Sequence, residues 1–580
     1  MIKRFFRWIL RTVLLIVVLV VIVAVSEYIS HRVQPNSVLE VELKGATVER
    51  GGHSVLGLLN QNQIALNVLR NALARGAKDP KIIGLDIKVI DPEMELAQAQ
   101  EIVALIKSFK AHGKWTTAYI ETAGESGAGN LPFIVASAAD EVSLMPRGDL
   151  NLMGVGVREL FTRGTLDWLG IVPNFASAGK YKSAANLFTN KDFTDAQKEE
   201  DEGLVGSLYD QVVAAIASER KISPDTVKTL IDQAPLNAEA GLKAHLVDRL
   251  EYEDEFTERV KNHGGTEHKV VDYNNYARGS LFSSFSPGDE IAVIYGEGEI
   301  DRSGDGISPF SAPGSQSMTA DDMDEAFKTA REDDSVRAVI LRVDSPGGSM
   351  LASELIGRQV ELTAKKKPVV VSMSGYAASG GYMISIPGAK IFADPGTITG
   401  SIGVLGGKFN ITPATQKIFM NSGAITRGAN AEMFDMWTDF TPAQAKQFYD
   451  EMQRDYQYFL KLVADGRHIT VEQADNVAQG RVWTGEQAVK IKLVDSLGGF
   501  DDAMAAAKAL ARLEPDQEVN ILELPEQPGL FQTLRGEKMV ASLTQRPTAR
   551  IVEPIMQLIR AALSGHSEFR AAYCPVVPLL

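Results

Sequence analysis

The chain has 580 residues, 45% of them hydrophobic and 23% charged, with a formal net charge of -15. That length exceeds what one hydrophobic core usually supports, so at least two domains or two repeats are expected. The negative balance excludes a nucleic-acid surface, which needs a basic stripe, and a single cysteine, Cys574, excludes an internal disulfide. The eight histidines are scattered and show no HExxH spacing, so neither a metal site nor a cofactor is expected.

In chain order, Lys3, Arg4, Arg7 and Arg11 precede an almost unbroken apolar run from Thr12 to Val25. With Trp8 to Leu10 the run approaches the roughly 20 residues that cross a bilayer. Its basic flank should stay cytoplasmic, which puts everything after about residue 30 on the other side. Ala24-Val25-Ser26 resembles a signal-peptide cleavage site, but the run is long for one. A retained transmembrane helix over 1–30 is the expectation.

The rest of the chain is one unit written twice. Glu239 to Leu250 aligns with Glu486 to Leu497 at six of twelve positions, both copies carrying Leu-Val-Asp. Phe193-Thr194-Asp195-Ala196-Gln197 matches Phe440-Thr441-Pro442-Ala443-Gln444, and Val38 to Val48 reads like Glu290 to Ile300. All three matches keep an offset of about 250 residues. The first copy has strand-like runs at Ile82 to Val89 and Trp115 to Ile120. The second has them at Ala338 to Val343, Val369 to Val371 and Lys390 to Ala393, with helical stretches at Leu351 to Ala364 and up to Ile386. Strands alternating with helices predict an α/β fold with parallel sheets. The expected layout is a first repeat over 36–270, a linker near Phe282 to Gly288, a second repeat over 289–525, and a tail over 526–580.

Two glycine-rich turns in the second repeat can carry chemistry. Ser379 lies in Ala377-Ala378-Ser379-Gly380-Gly381, at a strand-to-helix turn whose small neighbours leave a hydroxyl exposed. Gly347-Gly348 ends the preceding strand, and C-terminal strand ends share one edge of a parallel sheet. The amides of Gly380 and of Gly347 or Gly348 can therefore form an oxyanion hole. A serine nucleophile needs a base, and no histidine occupies a comparable loop. A desolvated lysine can serve, and Gly179-Lys180-Tyr181-Lys182-Ser183-Ala184 offers two. Ser177 and Lys180 have the SxxK spacing of penicillin-binding enzymes. Ser218 and Lys221 share it, however, and the companion motifs are absent.

Asp344-Ser345-Pro346-Gly347-Gly348, Ala377-Ala378-Ser379-Gly380-Gly381-Tyr382, Thr399-Gly400-Ser401-Ile402-Gly403 and Tyr181-Lys182-Ser183-Ala184 together resemble the bacterial signal peptide peptidase A (protease IV) family in its long, duplicated form. The resemblance covers nearly the whole chain. It implies tandem crotonase-like (ClpP-related) repeats and a Ser-Lys dyad, with Ser379 as nucleophile, Lys182 as base and Ser401 orienting the amine. It further implies signal peptides and hydrophobic peptides as substrates, inner-membrane lipid around the anchor, a body on the periplasmic side and a homotetramer. Ala185-Asn186-Leu187-Phe188 departs from the family where an acidic residue and a proline often follow the lysine. Alignment of the halves sets Gly129 or Asn130 opposite Ser379, and Ala429 or Asn430 opposite Lys182, so each repeat lacks the half of the dyad that the other keeps. The competing readings are a crotonase-type acyl-CoA enzyme, which needs the paired amides but no serine, and a catalytically inactive membrane scaffold.

Overall fold

Short runs of β-branched and aliphatic residues, such as Val369-Val370-Val371 and Ala338-Val339-Ile340-Leu341, are buried on both faces, as strands of a covered parallel sheet must be. The computed structural model describes residues 33–51, 63–125, 127–278, 288–303 and 317–526, and the backbone of 569–573. The anchor expected over 1–30, Cys574 and all but the last residue of the expected linker lie outside these. Among the described residues no helix is long and apolar enough to cross a membrane.

Two parallel sheets have the same order. The first runs Lys269–Asp272, Ser37–Val48, Ile82–Glu93, Trp115–Ile120, Glu141–Leu144, Arg249–Leu250. The second runs Asn520–Leu524, Glu290–Glu297, Val336–Ser345, Val369–Ala378, Lys390–Ala393, Ser496–Leu497. The helices repeat as well: Leu96–Ala111 corresponds to Met350–Ala364, and Asp195–Arg220 to Pro442–Arg467, both of the latter 26 residues long.

The repeated sequence motifs now have physical causes. Thr194 and Thr441 are the N-caps of the two long helices, their hydroxyls accepting from Gln197 N and Gln444 N. In each Leu-Val-Asp the aspartate accepts a strand amide, Val142 N at 2.8 Å for Asp248 and Ile391 N at 2.7 Å for Asp495. The same two aspartates pair with the last arginine of the long helix, Arg220 and Arg467.

The repeats interlock. Ala378, Ile398 and Val482 of the second are buried in the core of the first, and Ala178 of the first in the core of the second. Arg342, on a central strand of the second sheet and fully buried, donates to Glu49 Oε2 at 2.7 Å and Glu101 Oε1 at 2.8 Å, both from the first repeat. Ser374 also donates to Glu49.

A third sheet crosses between the repeats. Its order is Ser317–Thr319, Glu299–Asp301, Gly347–Ser349, Phe569–Tyr573, Val404–Asn410, Val172–Ala178. The last two strands pair antiparallel, Val172 with Asn410 through to Ala178 with Val404, and so bring the loop after Ala178 to the second repeat.

Candidate active site

Strand Val369–Ala378 stops at Ser379, and helix Gly380–Ser385 begins on the next residue. So abrupt a change of direction holds Ser379 at φ 57°, ψ -111°, a strained conformation for a residue with a Cβ. Its backbone is fixed on both sides: Ser379 N–H donates to Gly400 O at 2.8 Å and Met383 N–H to Ser379 O at 2.9 Å.

Lys182 arrives from the first repeat. Tyr181 N–H donates to Gln479 O at 2.7 Å, Lys182 N–H to Gly179 O at 3.2 Å, and Gly480 lies flat against the Lys182 backbone, where a side chain would not fit. Across 197 residues of sequence, Lys182 Nζ donates to Ser379 Oγ at 2.7 Å. The amine also lies 2.9 Å from Ser401 O and 3.0 Å from Ser401 Oγ. Lys182, Ser379 and Ser401 are 3%, 0% and 1% exposed. Ser401 is itself set by its N–H, which donates to Arg481 O at 2.7 Å. The other candidate base, Lys180, is exposed; its amine is 3.1 Å from Tyr181 OH and 3.4 Å from Glu199 and does not join this group.

The glycine turns meet beside the serine. A Cβ built on Gly380 would come within 3.2 Å of Gly347 Cα and Gly348 N and 2.6 Å of Ser353 Oγ, so only glycine allows this approach. Gly348 has φ +152°, and a Cβ there would collide with the Ile300 carbonyl. Gly347 N–H is turned toward Ser345 Oγ at 3.2 Å.

In the first repeat Gly129 is the N-cap of helix Asn130–Ser137, as Ser379 is of its own helix. Ala429 and Asn430 lie in a turn, away from any dyad. Among the described residues no cluster of histidine, cysteine and acidic side chains could hold a metal ion.

One buried group escapes sequence reasoning. Glu200, on the long helix after the Lys182 loop, is 1% exposed and accepts from Val482 N at 2.5 Å. Val482 follows Arg481, whose carbonyl holds Ser401, so Glu200 straps that segment to the helix. Burial raises its carboxyl to about 8, against the lowering pull of the Val482 amide and of the Arg481 charge. Asp201 beside it is raised to about 7 by burial and by Glu159. Behind the glycine turns, Asp344 is raised to about 7 and Glu297 to about 8, first by burial and then by the Glu49 charge.

These acids hold their protons more tightly folded than unfolded. The stability they contribute is therefore complete near the ordinary carboxylate range and is lost as pH rises toward 8. The unfolding midpoint falls between pH 5 and pH 9, and Glu200→Gln, an isostere of the neutral acid, makes that fall shallower. Thermal melts across that range check it; an equal slope in wild type and Glu200→Gln would contradict it.

Comparison with known proteins finds relatives over most of the chain. The model of peptidase family S49 matches residues 108–267 and 361–514, one stretch in each repeat. "Serine protease SPPA, chloroplastic" of Arabidopsis thaliana is 31% identical over 500 residues, 85% of this chain and 72% of that one. "Protease 4" of Salmonella typhi is 33% identical over 77% of this chain and 72% of its own length. "Protease 4" of Haemophilus influenzae is 31% identical over 77% and 73%. The family is matched in both halves and the relatives cover most of both lengths, so the chain belongs to peptidase family S49 and is a serine-type peptidase.

Proposed function

We propose that the protein is a membrane-anchored endopeptidase that degrades cleaved signal peptides with a Ser379–Lys182 dyad on tandem crotonase-like repeats. The 2.7 Å contact between the Lys182 amine and the Ser379 hydroxyl, both sealed from water, carries this reading. A lysine works as a base only as the free amine, and desolvation disfavours the ammonium. Lys182 takes the Ser379 proton as the oxygen attacks the scissile carbonyl. The oxyanion is met by the Gly380 amide and by one from the Gly347-Gly348 turn, each donor worth about 3 kcal/mol in the transition state. Lys182 returns the proton to the leaving amine, and then activates the water that cleaves the acyl-enzyme. Ser401 holds the amine on line between the two steps.

A peptide is favoured over an acyl-CoA because backbone already lies in strand pairing beside the site. Phe569–Tyr573 is hydrogen-bonded as a strand between Gly347–Ser349 and Val404–Asn410. The basic and apolar N-terminus supports a single anchor over residues 1–30 in the inner membrane, with the repeats over 36–270 and 289–525 on the periplasmic side. Such an anchor would keep the site near hydrophobic peptides left in the bilayer.

Assembly follows from the repeat. The long helices lie 247 residues apart. At that offset the counterpart of strand Val172–Ala178 is 419–425, which belongs to no strand and exposes Phe419 and Ile425 almost completely. The counterpart of Val404–Asn410 begins at 157, also outside the named strands, with Leu160 exposed. Each chain thus offers both halves of a second such pairing, which supports a head-to-tail ring; the family resemblance implies four copies.

The test is hydrolysis of a hydrophobic fluorogenic peptide by wild type, by Ser379→Ala, by Lys182→Ala, and by the two variants refolded together. Wild type cleaves it, and the mixture stays inactive because both halves of the dyad belong to one chain. Recovery of activity in the mixture would put the dyad between chains, and no cleavage by wild type would remove the reading.

A further inference from the structure

Helix Val471–Val477 ends in a turn, Ala478-Gln479-Gly480-Arg481, that meets the Lys182 amine's surroundings from two sides. Arg481 O accepts the Ser401 N–H at 2.7 Å, and two residues earlier Gln479 O accepts the Tyr181 N–H at 2.7 Å. Gly480 lies between them, its N–H donating to Ile402 O at 2.8 Å. Gly179 packs on the Gln479 carbonyl as closely as Gly480 packs on Lys182: a Cβ on Gly179 would stand 2.6 Å from Gln479 O. Backbone packed on backbone in this way sets how far Lys182 stands from Ser401.

Gln479 has a φ of +56°, in the left-handed region that favours glycine, yet it carries a long side chain. Its Oε1 accepts the Lys180 N–H at 3.2 Å, and its Nε2 donates to Asp475 Oδ1. Its own N–H donates to Tyr456 OH at 3.1 Å, and that hydroxyl donates to the same Asp475 oxygen. Tyr456 is 4% exposed and stands on the long helix Pro442–Arg467. One residue thus holds two consecutive amides of the lysine loop, Lys180 and Tyr181, and is itself tied to two helices of the second repeat. The side chain fills no core, since it borders an open polar cleft lined also by Ser177, Lys180, Tyr449 and Asp475. Strained backbone persists only where its surroundings over-determine it, and such places cluster at active sites. We infer that Gln479 is a positioning residue for the dyad: it fixes the Lys180–Lys182 backbone, and with it the reach of the Lys182 amine to Ser379. This rests on the dyad reading above.

The experiment compares wild type, Gln479→Gly, Gln479→Glu, and Gln479→Glu joined to Asp475→Asn, on a hydrophobic fluorogenic peptide. Glycine accepts the positive φ and removes only the side chain, so the melting temperature holds. In that variant kcat falls about 30-fold while KM stays within about twofold, since misplacing a catalytic group by about 1 Å suffices for a loss of that order. Glutamate keeps the acceptor for the Lys180 amide but sets a like charge against Asp475, and kcat falls in the same way. Adding Asp475→Asn exchanges donor and acceptor between the two side chains and returns kcat to within about threefold of wild type. Hydrogen exchange of the same proteins shows the Lys180 and Tyr181 amides losing protection in Gln479→Gly, with the rest of the chain unchanged. An unchanged kcat in Gln479→Gly overturns the inference, as does a loss that comes with a lower melting temperature and faster exchange throughout the chain. If wild type cleaves nothing, the dyad reading fails, and local exchange at Lys180 and Tyr181 alone decides whether Gln479 fixes the loop.

Discussion

Ser379→Ala and Lys182→Met each lower kcat on a hydrophobic peptide by at least about 10⁴-fold, and the double variant is no worse than either alone. The reason is that the two groups act as one unit: the amine exists in the site only to take one proton from one hydroxyl 2.7 Å away. What remains in each variant is substrate binding and the oxyanion amides, which by themselves give a residual rate. Folding changes little, because both side chains are held by backbone set elsewhere, Ser379 through Gly400 O and Lys182 through Gly179 and Gln479. The measurement is steady-state kinetics with thermal melts of the same samples. A loss of less than about 100-fold for Lys182→Met would give the base to another group.

Arg342→Met destabilises the protein by about 3–5 kcal/mol, the range found when one partner of a buried ion pair is removed. The guanidinium is fully buried and lies between Glu49 and Glu101, which are 1% and 5% exposed. Removing it leaves the Glu49 carboxylate facing a strand of the second repeat without its ion partner and with no water to solvate it, while Glu101 keeps Arg70 at 3.0 Å. Adding Glu49→Gln to Arg342→Met recovers part of the loss, because the uncompensated charge goes with the acid. Urea unfolding midpoints of the single and double variants give the numbers. A loss under about 1 kcal/mol for Arg342→Met would show that the joint between repeats rests on apolar packing alone.

Much of the architecture was legible because the repeated motifs are structural. Leu-Val-Asp recurs since each aspartate ties a strand amide to a helix arginine, and Thr-x-x-Gln recurs since each threonine starts a 26-residue helix. Ser379 was legible for a local reason: small residues crowd a turn that no larger side chain could enter. Lys182 was a different matter. Its sequence neighbourhood offered Lys180 equally, and only resemblance chose between them, because its partner lies 197 residues away.

Glu200 was illegible among Lys198-Glu199-Glu200-Asp201-Glu202, where charge alone reads as a solvated helix face and only packing reveals which acid is buried. Arg342 carried a signal of its own, a cation set between Leu341 and Val343 in the apolar middle of strand Val336–Ser345. The strand at Phe569–Tyr573 had none, since its pairing is imposed by the two edges it fills and not by its own periodicity.

The most direct test of the account is covalent labelling by a serine-reactive fluorophosphonate, read by peptide mass spectrometry, in wild type and Lys182→Met. Modification confined to Ser379 in wild type and abolished in Lys182→Met is the predicted result. Equal labelling of Ser379 in both proteins, or labelling at another serine, would contradict it.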